Sequence, residues 1–290
     1  MKLIHNHPKN NKLRNNKRAV TPAISTVIMM GALVVLVFVA MNYANSNLTL
    51  TIASDEFSAS KQFMQSSGLQ IDNVAWSIGR TETVDFTSKY GQIKFVPNVI
   101  NYTFEVYNGS SWQTLYNSTT GMIMYKMPVG TYSLGNNYFS RIMPVNSGSI
   151  LQWNASAPIA QVFATEKVPM NDGSYARIVA VPIVRALNST LVTGGSYYKF
   201  YLPTLISGSN PYLSQSVTLI GTSLTRVTPN GPVSQVRINA TAIAAVSNPP
   251  GFNSSFFNFD HTSQTVIIPN GSLVELYSGT ASVSIGLVAQ

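Results

Sequence analysis

Between Ala19 and Ser54 the sequence contains no charged residue, and residues 27–41 (VIMMGALVVLVFVAM) are almost wholly apolar. Such a run must be buried or placed in lipid. As a helix, residues 20–43 would be roughly 36 Å long, enough to cross a hydrocarbon core of about 30 Å. The flanks set the direction of crossing. Lys2, Lys9, Lys12, Arg14, Lys17 and Arg18 precede the run, and the first charges after it are Asp55 and Glu56. Basic residues are retained on the cytoplasmic side, so the N-terminus is expected inside and the long C-terminal part outside.

A secretory signal has an apolar core of about 7–15 residues with a small-residue cleavage site after it. Here the core is longer, and the sharp boundary lies before it, at Lys17-Arg18-Ala19-Val20-Thr21-Pro22-Ala23-Ile24. These residues resemble the class III signal of archaeal type IV pilins and archaellins. The resemblance implies cleavage by a prepilin peptidase between Ala19 and Val20, with Lys17 and Arg18 on the leader side, leaving the whole apolar helix on the mature chain. Pro22 then falls near the first helical turn, where its missing N–H has no intrahelical partner to lose. Ala23 and Ile24 stand where bacterial type IV pilins carry a glutamate, and archaeal relatives commonly lack it. A simple signal anchor following Lys-Arg-Ala is the alternative.

No proline occurs between Pro22 and Pro97. Beyond the span, Leu50, Ala53, Phe57, Ser60, Met64, Ser67, Ile71, Val74 and Ile78 recur in alternating steps of three and four, the seam of a helix packed along one face. The reading is therefore a leader (residues 1–19) and one helix over 20–79, transmembrane at 20–43 and amphipathic at 44–79. Gly31 and the Asn-rich residues 42–47 are the places where it is weakest.

From residue 80 onward the pattern changes to short β-rich runs between Gly, Pro, Asn and Ser. Strands are expected at 92–96, 102–107, 122–127, 161–167, 176–187, 197–205, 216–226, 234–244, 265–268 and 274–287. Alternation is plain in Val236-Arg237-Ile238-Asn239-Ala240, so one face of each such strand is buried. The fold class is mostly β with one long N-terminal α-helix, a pilin-like lollipop. Its extracellular part (80–290) reads as an antiparallel β-sandwich, or as two joined near 146–158.

The remaining chemistry is sparse. Only 10% of residues are charged, against about a quarter in ordinary domains, and there is no cysteine. Of the 18 Lys and Arg residues six lie in residues 1–18, so the rest of the chain sets 12 basic against 10 acidic residues. The basic character belongs to the leader, and no nucleic-acid partner is expected. His261 sits in Asp260-His261-Thr262-Ser263, a turn sequence without a nucleophile elbow. Glu166 and Asp172 read as solvated charges rather than a glycosidase pair. No catalytic residue, metal site or cofactor is expected. Tyr197-Tyr198-Lys199-Phe200-Tyr201 and Ser110-Ser111-Trp112 read as core packing before binding surface.

Asn-x-Ser/Thr sequons occur at Asn47, Asn101, Asn108, Asn117, Asn154, Asn188, Asn239, Asn253 and Asn270. On an exported domain they are N-glycan acceptors, with Asn47 in the helix and Asn239 in a strand the least suited. The function implied is a filament subunit, major or minor, acting in adhesion. Its partners would be the membrane, the prepilin peptidase and other pilin-like subunits. A monomeric membrane-anchored surface protein is the alternative, and an exported enzyme a third.

Overall fold

The computed structural model describes residues 17–168, 170, 173–190, 195–208, 216–243, 252 and 254–286. Two units divide the chain, one ending at Thr51 and one beginning at Ile52. Helix α1 (Lys17–Ala75) belongs to both. It is helical through Gly31 and through the Asn-rich residues 42–47, the two expected weak points.

In the second unit the predicted seam is the buried face of α1. Ala53, Phe57, Met64, Ser67, Ile71 and Val74 are all fully buried, whereas Ile78 is 70% exposed. Each large apolar side chain on this seam contributes about 1.5–3 kcal/mol relative to exposure. The helix ends at Ala75, four residues short of the expected boundary. Its last carbonyls meet strand backbone: a Cβ on Gly221 would lie 2.6 Å from the Val74 oxygen, and one on Gly279 would lie 2.2 Å from the Ala75 oxygen. The chain turns at Ser77–Gly79, where the Gly79 N–H donates to the Gly221 carbonyl at 2.8 Å, and it leaves as a strand.

That strand is β1 (Thr81–Asp85), followed by β2 (Gln92–Tyr107), β3 (Trp112–Pro128), β4 (Tyr138–Met143), β5 (Leu151–Gln152), β6 (Ala160–Glu166) and β7 (Tyr175–Pro182). Next come β8 (Val184–Thr190), β9 (Ser196–Ser207), β10 (Ser216–Val227), β11 (Gln235–Ala242), the short α2 (Ser254–Phe257), β12 (Ser263–Ile267) and β13 (Leu273–Ile285). They form a six-stranded sheet, β1-β10-β13-β9-β8-β5, and a seven-stranded sheet, β12-β11-β2-β3-β7-β6-β4. The fold is thus one long helix followed by a mostly antiparallel β domain.

Several differences from the sequence reading have plain causes. Residues 92–96 and 102–107 belong to one strand, interrupted by a register jump from Val96 to Ile100 around Pro97 and the left-handed Asn98. The apolar run 176–187 is two strands. Pro182, with no N–H, closes β7, and at Ile183 and Val184 the chain bonds to Ile159 and Ile150 as it crosses to the other sheet. Parallel pairing occurs between β9 and β13, from Leu273↔Tyr197 to Val283↔Ser207, and between β5 and β8. Residues 146–158 divide nothing: 52–290 is one compact unit, and Ile150, Leu151 and Ile159 are core residues. The expected ends at Ala244 and Leu287 lie outside the described residues.

Two apolar cores result. One lies between the sheets and includes Tyr102, Phe104, Met122, Met124, Phe163, Phe200, Leu202 and Leu276. The other joins the α1 seam to Ile123, Tyr125, Val162, Ile178, Leu205, Val217 and Val283. Strand β6 is buried at every position because Phe163 faces the first core while Ala160, Val162 and Ala164 face the second. Two-sided burial gives a continuous apolar run in place of alternation.

Candidate functional site

The first unit carries the most distinctive surface. Ile24, Val27, Ile28, Met29, Met30, Leu33, Val35, Leu36, Phe38, Val39 and Met41 are each more than half exposed on α1. The segment is long and apolar enough to span a membrane. Tyr43 follows at 72% exposure. Helical pairing satisfies the backbone, which lipid cannot do. Lys17, Arg18, Ala19 and Val20 form the first described turn of α1.

In the second unit a carboxylate fixes the loop after β1 against the helix. Glu56 accepts hydrogen bonds from Ser88 Oγ (2.6 Å), Tyr125 Oη (2.8 Å) and the backbone N–H groups of Lys89, Tyr90 and Gly91 (2.9–3.2 Å). Burial pushes its pKa up, but the Ser88, Gly91, Lys89 and Tyr125 donors outweigh burial and hold it below the ordinary carboxylate range.

The aromatic run on β9 is split by strand alternation. Tyr198 and Phe200 enter the core, at 8% and 1% exposure, while Tyr197, Lys199 and Tyr201 stand on the outer face. There Tyr201 stacks on Tyr277 at 5.3 Å, meets Trp76 edge-on at 5.3 Å, and lies under the Arg185 guanidinium. Arg185 pairs with Asp72 of α1 at 2.7 and 3.1 Å. Glu275 accepts from Tyr197, Tyr277 and Arg226. Burial would raise the Glu275 pKa, and these three donors lower it. Because its aromatic faces and charges are paired with one another, this cluster acts as a clamp across the sheet.

Trp112 lies on the outer face of the other sheet, 5.3 Å from Tyr107 and under the Arg237 guanidinium at 4.2 Å. Arg237 in turn pairs with Glu105 at 2.7 Å. Comparison with protein-family models, with curated proteins and with solved structures finds no match to this chain.

The sequons fall into distinct environments. Asn108, Asn117, Asn154, Asn188 and Asn270 are exposed, and Asn101 is half-exposed on β2. Asn108 and Asn154 shape turns, their Oδ1 atoms accepting backbone N–H groups two and three residues on, or two on, at 3.0 Å. Asn239 is engaged on both atoms, donating to Glu105 at 2.8 Å and accepting from Ser263 at 2.6 Å. Asn253 lies outside the described residues, as does Asp172. Glu166 is 2% exposed, accepting from Ser133 and the Leu134 N–H. It is a buried, bonded carboxylate, not the solvated charge expected.

His261 is exposed and lines an open cavity of about 510 Å³ with Ser255, Asn258, Asp260 and Ser263. Asp260 there is held by Arg141 and the Gly148 N–H. Among the described residues no group of three or more His, Asp or Glu converges to hold a metal ion.

Proposed function

We propose that this chain is a type IV pilin-like subunit of an archaeal cell-surface filament, polymerised through the apolar half of α1. The observation that carries the reading is one unbroken helix with two chemistries. Its side chains over Val27–Met41 are exposed and apolar, while from Ala53 to Val74 its seam is buried under the β domain. An exposed apolar surface of that length needs either lipid or similar helices around it.

In this reading a prepilin peptidase cuts between Ala19 and Val20 on the cytoplasmic face, and residues 52–290 are exported. Exposed sequons on the exported part carry N-glycans. The mature helix leaves the bilayer only when neighbouring subunits replace the lipid. A monomeric membrane-anchored surface protein would use the same helix, and filament content separates the two.

The test is Leu33→Arg or Val35→Arg in cells. A central arginine costs about 2.5–3.5 kcal/mol in the apolar environment. The variants are expected to be missing from sheared filaments, while protease digestion shows the β domain still folded. N-terminal sequencing of surface protein is expected to begin at Val20. Normal incorporation of both variants, or residues 1–19 still attached, would overturn the proposal.

A further inference from the structure

A cavity of about 310 Å³ opens between β5, an edge of the six-stranded sheet, and β12, an edge of the seven-stranded one. Its lining is Ser149, Leu151, Trp153, Gln264, Thr265 and Val266. Leu151 and Val266 are core residues at 4% and 9% exposure, so the floor is apolar and fixed. Trp153 forms a wall that is 49% exposed. Its ring is steadied by edge contacts to Tyr198 at 6.3 Å and Phe200 at 6.4 Å. Trp76 and Trp112 are half-buried by comparison.

The polar groups are ordered as well. Gln264 Nε2 donates to Ser149 Oγ at 2.7 Å, and Ser149 Oγ donates to the Leu151 carbonyl at 2.7 Å, which orients the Gln264 amide. Pairing of Ala240 N–H with Thr262 O and of Ile268 N–H with Ser234 O marks the even-numbered residues of β12 as those bonded to β11. The main-chain N–H and C=O of Thr265 therefore point off the free edge, into the cavity it lines.

A rigid, half-exposed indole, an apolar floor, a fixed amide and one free main-chain donor–acceptor pair, with no charged residue in the lining, match one ligand chemistry. A sugar ring offers C–H groups on one face and hydroxyls at its rim. Its volume class also fits, since the cavity is at the small end of ligand sites, which begin near 300 Å³. Strand addition by a peptide fits less well, because the free edge of β12 is short, with Ser263, Thr265 and Ile267 as its outward-facing residues, and such pairing would leave the exposed Trp153 ring and the apolar floor unused. We propose that this cavity binds a neutral pyranose unit of a glycan, stacked on Trp153 and hydrogen-bonded to Gln264 and the Thr265 backbone. The site is complete within one chain and does not depend on polymerisation, so it stands or falls separately from the filament assay.

The test uses the full chain in a polyoxyethylene detergent, which carries no sugar headgroup. Saturation-transfer NMR is recorded with the methyl glycosides of glucose, mannose, galactose and N-acetylglucosamine. At least one is expected to bind in the millimolar range, weakened by about tenfold or more in Trp153→Ala and in Gln264→Ala. Trp153→Phe, which keeps a ring on the same core contacts, is expected to retain part of the affinity, and Trp112→Phe all of it. Near-UV circular dichroism checks that each variant is folded. Failure of all four glycosides to saturate below about 50 mM, or a folded Trp153→Ala that binds like the parent, overturns the proposal. Capture of an extended peptide along Thr265 and Ile267 without any glycoside binding overturns it in favour of strand addition.

Discussion

At the scale of single residues, the join between α1 and the six-stranded sheet rests on side chains that are absent. Gly221 and Gly279 lie on β10 and β13 directly beneath the last turn of the helix, where a Cβ would fall 2.2 Å from the Ser77 and Ala75 oxygens respectively. Those atoms are backbone and cannot swing aside. Gly279→Val is therefore expected to lower stability by about 3 kcal/mol, the upper part of the overpacking range. A reduced urea midpoint with an unchanged slope would report it. Asn239 supplies a second residue-level expectation. Both atoms of its amide are occupied by Glu105 and Ser263, so glycopeptide mass spectrometry of surface protein is expected to find it bare even if Asn108 or Asn154 is modified. Its sequon was visible in the sequence; its hydrogen bonds were not, because Glu105 lies 134 residues away in sequence and reaches it only through the pairing of β2 with β11.

Among the elements, the tie between α1 and the loop after β1 gives the β domain an acid-sensitive contact. A carboxylate whose folded pKa is lowered adds stability above the range where it titrates in the unfolded chain, near 4.3, and loses it as pH falls through the folded value. Glu56→Gln should cost about 2 kcal/mol at pH 7, the scale of hydrogen bonds to a charged group. It should also shrink the drop in urea midpoint between neutral pH and pH 3.5. The elements that the sequence revealed are those with strong periodicity. The α1 seam repeats in threes and fours, and β11 alternates strictly. Strands that escaped notice lack such a signal: every residue of β4 is half-buried, β5 has two residues, and β1 sends no side chain into the inter-sheet core. Residues 146–158 looked like a linker because Asn, Ser, Gly and Pro are dense there. The buried Ile150 and Leu151 make it instead an edge of the sandwich and one wall of the Trp153 cavity. That cavity was illegible because Trp153 and Gln264 meet only where the edges of the two sheets come together.

For the molecule as a whole, the apolar surface and the β core fall in different units, with the boundary at Thr51 and Ile52. A chain starting at Thr51 keeps every buried residue of the seam from Ala53 onward and discards the exposed apolar run. It is expected to be soluble, monomeric and β-rich by light scattering and circular dichroism. Polymerisation of that truncated chain by itself would point to strand exchange between β domains.

The position of β13 has a consequence for biogenesis. Strand β13 follows β9 and β10 in sequence and sits between them, pairing with both. Until it arrives, β1 with β10 and β9 with β8 and β5 are two ribbons with no bond between them. Synthesis runs from the N-terminus, so the six-stranded sheet stays open until residues 273–285 have been made, after every other strand of that sheet. The keystone of this sheet is made after the strands it joins, and a ribosome that stops before Leu273 leaves two unpaired strand edges for the cell's quality control to find.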